Sequence, residues 1–113
     1  MYFSVTYMLM SSKIRIIYVY GIIMKKLSYI NNQKNIIGAQ LRKIRKKKRV
    51  TQIDLAARMQ VLGVNIDHQS ISNIERNRRI VTDYELACFC KALRCTERDL
   101  LQDFYDKLRE EDE

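Results

Sequence analysis

The chain has 113 residues, which is enough for one compact domain with tails and leaves no room for a second, ligand-sensing domain. It has no proline and only three glycines, so a β architecture with many turns is excluded. Lysine, arginine, leucine, isoleucine and alanine are abundant, and these residues favour helices. We therefore predict an all-α fold.

The formal net charge is +8, and it is unevenly distributed along the chain. The first 50 residues carry twelve basic residues and no acidic one, whereas the remainder carries nine basic and thirteen acidic residues. From Glu97 onward, eight carboxylates face three basic residues. A basic N-terminal half suits a phosphate backbone or an anionic lipid surface, and the acidic end would repel both. A polyanion is therefore expected to bind away from the C-terminus.

Residues 1–34 are predicted to be an N-terminal extension outside the working fold. Ser-Ser-Lys-Ile-Arg at residues 11–15 divides the apolar start into runs too short to cross a membrane, and the charge order of a secretion signal is missing. We expect Met24 to start the functional chain. Two alternatives are a strand over residues 14–23 that pairs with a partner chain, and binding of the extension to a membrane surface.

A first helix is predicted from Asn35, its cap, to about Lys48, with Ile37, Leu41 and Ile44 on its inner face. Six basic residues occupy its outer side and its end: Arg42, Lys43, Lys46, Lys47, Lys48 and Arg49. Cations favour the C-terminal end of a helix, but six exceed what capping needs. The cluster is suited to salt-sensitive contacts with phosphates.

Thr51 and Asp54 form a T-x-x-D capping box, which predicts the start of a second helix. Gly63 can take the left-handed conformation that ends this helix. Val50 and Leu55 have the spacing of a hydrophobic staple. Apolar residues recur at intervals of four and three along one face of the helix: Leu55, Met59 and Leu62.

Asp67 is the predicted N-cap of a third helix, and Ile66 with Ile71 has the spacing of a staple that sets its entry angle. With Ile71 and Ile74 placed inward, the helical period turns four polar side chains outward: Gln69, Ser72, Asn73 and Arg76. Glutamine and asparagine can bond adenine, arginine can bond guanine or phosphate, and serine is adaptable. The face therefore suits base reading in DNA, and the alternative interpretation is an ordinary solvated helix surface.

Two further helices are predicted from capping boxes and staples. Asn77 tolerates the left-handed conformation at the end of the third helix, and Arg78 and Arg79 after it can reach phosphates. The boxes are Thr82 with Glu85 and Thr96 with Asp99, and the staples are Val81 with Leu86 and Cys95 with Leu100. The inward residues are Leu86, Phe89, Cys90 and Leu93 in the fourth helix, and Leu100, Leu101, Phe104 and Leu108 in the fifth. Five helices over residues 35–108 would form a small bundle, and residues 109–113 are expected to be a disordered acidic tail.

Three cysteines, Cys88, Cys90 and Cys95, lie close together. Their odd number and tight spacing do not fit a disulfide framework, so we expect reduced thiols in an intracellular protein. A zinc site would lack a fourth ligand, because His68, the only histidine, is distant in sequence. We expect no metal and no cofactor.

Five motifs in order resemble the Cro and phage-repressor type of helix-turn-helix proteins, the Xre family. They are T-Q-x-x-L-A at residues 51–56, I-S-x-I-E-R at 71–76, Y-E-L at 84–86, A-L at 92–93 and D-L-L at 99–101. The resemblance covers about residues 36–101. It implies a five-helix lambda-repressor-like bundle whose third helix lies in the major groove of DNA. It also implies a bacterial or phage protein, located in the cytoplasm with the nucleoid.

The resemblance assigns roles to individual residues. His68, Gln69 and Asn73 match base-contacting positions, and Ser72 and Arg76 complete the predicted base-reading set. Gln52 is expected to contact phosphate and brace the third helix. An ion pair between Arg45 and Glu75 is expected to tie the first helix to the third. The predicted phosphate contacts are Lys46, Lys47, Thr51, Gln52, Asn77, Arg78 and Arg79.

The sequence departs from the family pattern at three places. The connection before the third helix is longer than usual and resembles a bacterial subgroup with an L-G-x-x-I insertion, here residues 62–66. We expect a longer second helix or a wider turn. Arg49 and Arg94 replace glycines that are usual after the first and fourth helices.

These features predict a sequence-specific DNA-binding regulator of transcription, a repressor that occupies an operator. No general base, nucleophile or phosphate-cradling loop is found, so we expect no enzyme. Because one module reads few base pairs, we expect a homodimer on two half-sites about 34 Å apart. The fifth helix is the expected contact, through Leu101, Phe104 and Leu108. The alternative is an antitoxin or anti-repressor that binds a protein partner, with DNA binding secondary.

Overall fold

A computed structural model of the chain describes residues 33–112, and the predictions for residues 1–32 lie outside this range. In this range the chain forms five α-helices and no strand, which confirms the predicted all-α bundle. The helices are α1 (Gly38–Lys47), α2 (Gln52–Val61), α3 (His68–Glu75), α4 (Asp83–Leu93) and α5 (Glu97–Asp112).

The three predicted capping boxes start α2, α4 and α5. At α2, Thr51 Oγ1 accepts from the Asp54 amide at 3.0 Å, and Asp54 Oδ2 accepts from the Thr51 amide at 3.3 Å. The side chain of Asp67 accepts from the Ser70 amide at 2.7 Å and so caps α3 as predicted. The same reciprocal bonds are present in the other two boxes: Thr82 with Glu85 and Thr96 with Asp99.

The first helix begins two residues later than predicted. Ile37 occupies the N-cap position of α1 without a side-chain cap, and the helix starts at Gly38. Asn35 still satisfies the first amides, because its Oδ1 accepts from Gly38 N at 2.8 Å and from Ile37 N at 3.2 Å. A Cβ at Gly38 would overlap the carbonyl oxygen of Ile74, so glycine allows α1 to meet the end of α3 backbone to backbone.

The core lies where the helices meet. Its fully buried side chains come from all five helices: Leu41, Leu55, Met59, Ile71, Ile74, Phe89, Leu93 and Leu100. Five other residues predicted to point inward are only partly buried: Ile44, Leu86, Leu101, Phe104 and Leu108. Leu62 is the C-cap residue of α2, not an interior helical residue, and is also partly buried. One periodic apolar stripe per helix therefore accounts for the packing.

The fifth helix is longer than predicted. It continues through Asp112, so residues 109–112 are helical where a disordered tail was expected. Side-chain links at spacings of three and four residues support its second half. They join Arg98 to Gln102, Gln102 to Asp106 and Asp106 to Arg109.

Four residues with positive φ end α1 to α4. They are Arg49 (58°), Gly63 (88°), Asn77 (61°) and Arg94 (54°). The left-handed conformation was predicted for Gly63 and Asn77, and both residues adopt it. Arg49 and Arg94 adopt it as well, at the two positions where the family pattern has glycine. Each arginine there costs about 1–2 kcal/mol, because its Cβ crowds the following carbonyl.

The three cysteines are free thiols. Burial is the main cause that raises the pKa of Cys90, to about 12, so this thiol is protonated at neutral pH and poorly nucleophilic. Burial also raises the pKa of Cys95. Both residues therefore behave as core side chains.

Candidate nucleic-acid interface

The connection between α2 and α3 is a packed turn of residues 62–67. Val64 and Ile66 are buried in it, and the Val64 amide donates to the carbonyl of Met59 at 3.0 Å. Gln60 Nε2 donates to the carbonyl of Ile66 at 3.2 Å. Because α2 ends at Val61, the extra residues of this sequence widen the turn and do not lengthen the helix.

The five predicted base-reading residues lie together on α3 and its C-cap. His68, Gln69, Ser72, Asn73 and Arg76 fall within an arc of about 140° on the helix, opposite the buried Ile71 and Ile74. His68, Gln69 and Arg76 are exposed, and Ser72 and Asn73 are half-buried. The structure gives the side chains of Gln69, Ser72, Asn73 and Arg76 no hydrogen bond to residues 33–110. Within the described residues, the donors and acceptors of these four side chains have no partner.

Three helices meet at the carboxylate of Glu75. Arg45 donates to it through two nitrogens, Nε to Oε2 at 2.6 Å and Nη2 to Oε1 at 2.9 Å, and a third nitrogen donates to the Val50 carbonyl. Gln52 Nε2 donates to Glu75 Oε1 at 3.1 Å. The hydrogen bonds that Arg45 donates to Glu75 are the main cause that raises the pKa of Arg45. Arg45 in α1 and Gln52 in α2 therefore hold the end of α3 in place.

A basic groove of about 170 Å³ opens between α1, α2 and α3, beside the outward face of α3. Arg42, Lys46 and Arg76 line it together with Gln52 and Ser72. None of the three cations has an ion-pair partner in the part of the chain that the structure describes. Lys47 is exposed at the end of α1, outside the groove. Thr51 has its hydroxyl in the capping box of α2.

Asn77 and Arg79, two predicted phosphate contacts, are engaged within the fold. Asn77 Oδ1 accepts from the amides of Lys34 at 2.8 Å and Asn35 at 2.9 Å. Arg79 forms a two-pronged ion pair with Glu85, with bonds of 3.1 and 2.9 Å. Arg78 is exposed, and its side chain has no bond to residues 33–110. Of these three residues, only Arg78 has a side chain with no bond to residues 33–110, and contact of any of them with phosphate stays a prediction.

Glu85 was predicted only as a capping residue, and the structure gives it a second role. Burial would raise the pKa of its carboxyl, but hydrogen bonds from Arg79 and from the Thr82 amide outweigh burial and lower it. The Glu85 carboxylate thus caps the start of α4 and also binds Arg79 in the segment after α3. The T-x-x-E pattern of residues 82–85 predicted the cap. It did not predict the ion pair with Arg79, which forms because the chain turns at Asn77.

The fold and this surface together define a helix-turn-helix domain: two helices joined by a turn, the second with an open polar face beside a basic groove. A family model described as Helix-turn-helix matches residues 41–100, more than half of the chain. The chain belongs to this family, of the Cro and Xre type, and is a DNA-binding regulator. No curated protein and no solved structure is significantly similar to it.

No helix in residues 33–112 is long and apolar enough to cross a bilayer.

Proposed function

We propose that the protein is a sequence-specific repressor of transcription that reads the major groove of an operator with α3. The observation that carries this proposal is the difference between the two faces of α3. Ile71 and Ile74 are fully buried, so the helix is held in one orientation, while its polar side chains are open. A fixed helix with unsatisfied donors and acceptors suits base reading.

Each side chain on this face can form hydrogen bonds with the edges of bases. The amides of Gln69 and Asn73 can donate and accept at once, as adenine N6 and N7 require. Arg76 suits guanine or a phosphate, and Ser72 suits several bases. His68 lies at the edge of the arc, so its contact would be with a base at the flank of the site.

Phosphate contacts would come from residues around α3. Lys46 and Lys47 stand at the end of α1, and Arg78 follows α3. The start of α2, with Thr51 and Gln52, adds backbone amides and the positive end of a helix dipole. Such contacts supply affinity without sequence preference and fall with added salt.

The proposed assembly is a homodimer in which α5 of each copy contributes to the contact. Two reading helices about 34 Å apart would then address two half-sites of one operator. Occupation of that site would block transcription. Protection of two segments of operator DNA one helical turn apart supports this arrangement, and protection of a single segment contradicts it.

The test begins with selection of bound fragments from random duplex DNA. Against the selected sequence, Gln69→Ala and Asn73→Ala should each weaken binding by about 1–3 kcal/mol and relax the preference at one position. Lys47→Ala should weaken binding to all sequences alike and reduce the salt slope by about one. Gln40→Ala in α1 is the matched control, with no expected change. The proposal fails if no fragment is enriched, or if both α3 variants keep the full sequence preference.

A further inference from the structure

A second groove, of about 730 Å³, opens where three helices end. It is lined by the C-cap residue of α1 and by residues at the C-terminal ends of α2 and α4. Its charged residues are all basic: Lys48, Arg58, Lys91 and Arg94. The rest of its lining is apolar: Val50, Val61, Leu62, Ala92 and Leu93. We call this surface the distal groove.

The four cations of the distal groove differ in their hydrogen bonds. Lys48 and Arg58 donate to backbone carbonyls at the end of α4, Arg58 at 3.0 Å. These bonds satisfy carbonyls that have no partner within the helix, so both residues have a role in the fold. The side chains of Lys91 and Arg94 are exposed and have no bond to residues 33–110. Their two charges are therefore left without a partner among the described residues.

The apolar part of the groove is open to solvent. Val61, the last residue of α2, is 87% exposed, and Leu62 beside it is only partly buried. A partner that covers these side chains removes apolar surface from water, which favours binding. A phosphate backbone has no apolar group for this contact, whereas a protein segment can supply one. The combination of cations and an apolar floor therefore favours a protein partner over nucleic acid.

The distal groove lies on a different side of α2 from α3. Gln52 and Gln60 of α2 donate to Glu75 of α3 and to the turn before α3. At 100° per residue, Arg58 and Val61 each lie at least about 100° around α2 from both of these glutamines. No residue of α3 lines the groove. A partner in the groove would therefore leave the outward face of α3 uncovered.

Charge argues against an occupant from this chain. The charged residues of the segment 1–32 are all basic, so this segment would be repelled by the groove. The fifth helix carries both signs, because Arg98 and Arg109 lie among its carboxylates. Asp106 of this helix is already paired with Arg109. The complementary carboxylates are therefore expected from a different protein.

We propose that the distal groove binds an acidic segment of a partner protein. The segment would place carboxylates against Lys91 and Arg94, and an aliphatic or aromatic side chain over Val61. This inference goes beyond the proposed function, since it assigns a protein-binding site on a side of α2 that does not face α3. It does not depend on which DNA sequence is read.

Selection of peptides on the immobilised full chain, from a phage library of random segments about twelve residues long, tests the proposal. Enriched peptides should carry several acidic residues around one aliphatic or aromatic residue. The most enriched peptide is then synthesised with a fluorescent label and titrated with the chain by anisotropy. Lys91→Glu with Arg94→Glu should raise its Kd about 30-fold, because the carboxylates would face like charges. Val61→Ser should raise the Kd about fivefold, because the apolar contact is lost.

Lys34→Glu with Lys43→Glu is the matched control. Both lysines are exposed and lie outside the groove, and the net charge changes equally. The Kd of the peptide should then change less than about threefold, since only long-range attraction is reduced. Circular dichroism verifies that each variant is folded. If the charge reversal unfolds the chain, Lys91→Gln with Arg94→Gln removes the charges without reversal and should raise the Kd about tenfold.

The inference is overturned if no acidic peptide is enriched, or if the groove variant binds the peptide as tightly as the control variant does. It is also overturned if the groove variant loses more affinity than the control for random duplex DNA or for anionic phospholipid vesicles, which would assign the groove to phosphates. Groove-dependent binding of acidic peptides supports the inference even if no DNA fragment is selected. In that case the partner site stands and the proposed function fails.

Discussion

Asn35 uses the full hydrogen-bonding capacity of its side chain, although it lies outside the residues matched by the family model. Its Oδ1 accepts from the first amides of α1, and its Nδ2 donates to the carbonyls of Ile74 at 2.9 Å and Arg79 at 2.8 Å. Asn77 accepts the amide of Asn35 in return. The two asparagines join the start of α1 to the end of α3.

Asn35→Ala should lower the free energy of unfolding by about 2–3 kcal/mol, because it leaves partly buried amides and carbonyls without partners. Urea denaturation measures this change. Asn65→Ala is the control, since Asn65 is exposed and its side chain has no bond to residues 33–110; its effect should stay within about 0.5 kcal/mol. Equal effects of the two substitutions would show that the asparagine network does not stabilise the fold.

Substitution of Arg49 is expected to stabilise the fold, in contrast to substitution of Asn35. Arg49→Gly should raise the free energy of unfolding by about 0.5–1 kcal/mol, since relief of the left-handed strain exceeds the entropy cost of glycine. Lys46→Gly removes the same charge from within α1 and should destabilise by about 1 kcal/mol. Thermal unfolding compares the two, and a loss of stability in both variants would mean that Arg49 is not strained.

At the scale of helices, Glu75 is the point at which α1 and α2 position α3. Glu75→Gln should lower the free energy of unfolding by about 3 kcal/mol, because Arg45 would remain buried without its counter-charge. It should also weaken discrimination between DNA sequences, since the end of α3 loses a tether. Glu97→Gln, at an exposed position, is the control for denaturation and for DNA binding. Unchanged stability with Glu75→Gln would show that the ion pair adds nothing to packing.

The elements that the sequence predicted well are those whose signals are local. Thr51 with Asp54, or Thr82 with Glu85, forms bonds across one helical turn, so the pattern contains the whole interaction. The start of α1 was misplaced because Asn35 depends on carbonyls about 40 residues away. The pairing of Arg79 with Glu85 was missed because it spans six residues across a turn and so has no helical spacing. The outward face of α3 was predicted from the helical period of 3.6 residues, because the buried Ile71 and Ile74 determine which side of the helix faces the core.

Across the whole molecule, charge is sorted by surface. Cations of α1 lie beside the outward face of α3, whereas α5 carries more carboxylates than basic residues. The cations beside α3 predict that added salt weakens DNA binding, because counter-ions screen their attraction to phosphates.

The pH dependence of folding belongs to the whole molecule, because carboxyls in different elements have a lowered pKa: Asp67, Glu85, Asp99 and Asp106. Hydrogen bonds outweigh burial at Glu85 and lower its pKa below the ordinary 4.5, and bonds from Ser70 and Thr96 lower those of Asp67 and Asp99. A depressed folded pKa adds stability that is present above the unfolded pKa and is lost as pH falls through the folded value. Urea unfolding should therefore show constant stability from neutral pH to about pH 5 and a decline below about pH 4.5. Glu85→Gln should be less stable at neutral pH and decline less steeply, and stability that rises on acidification would contradict this account.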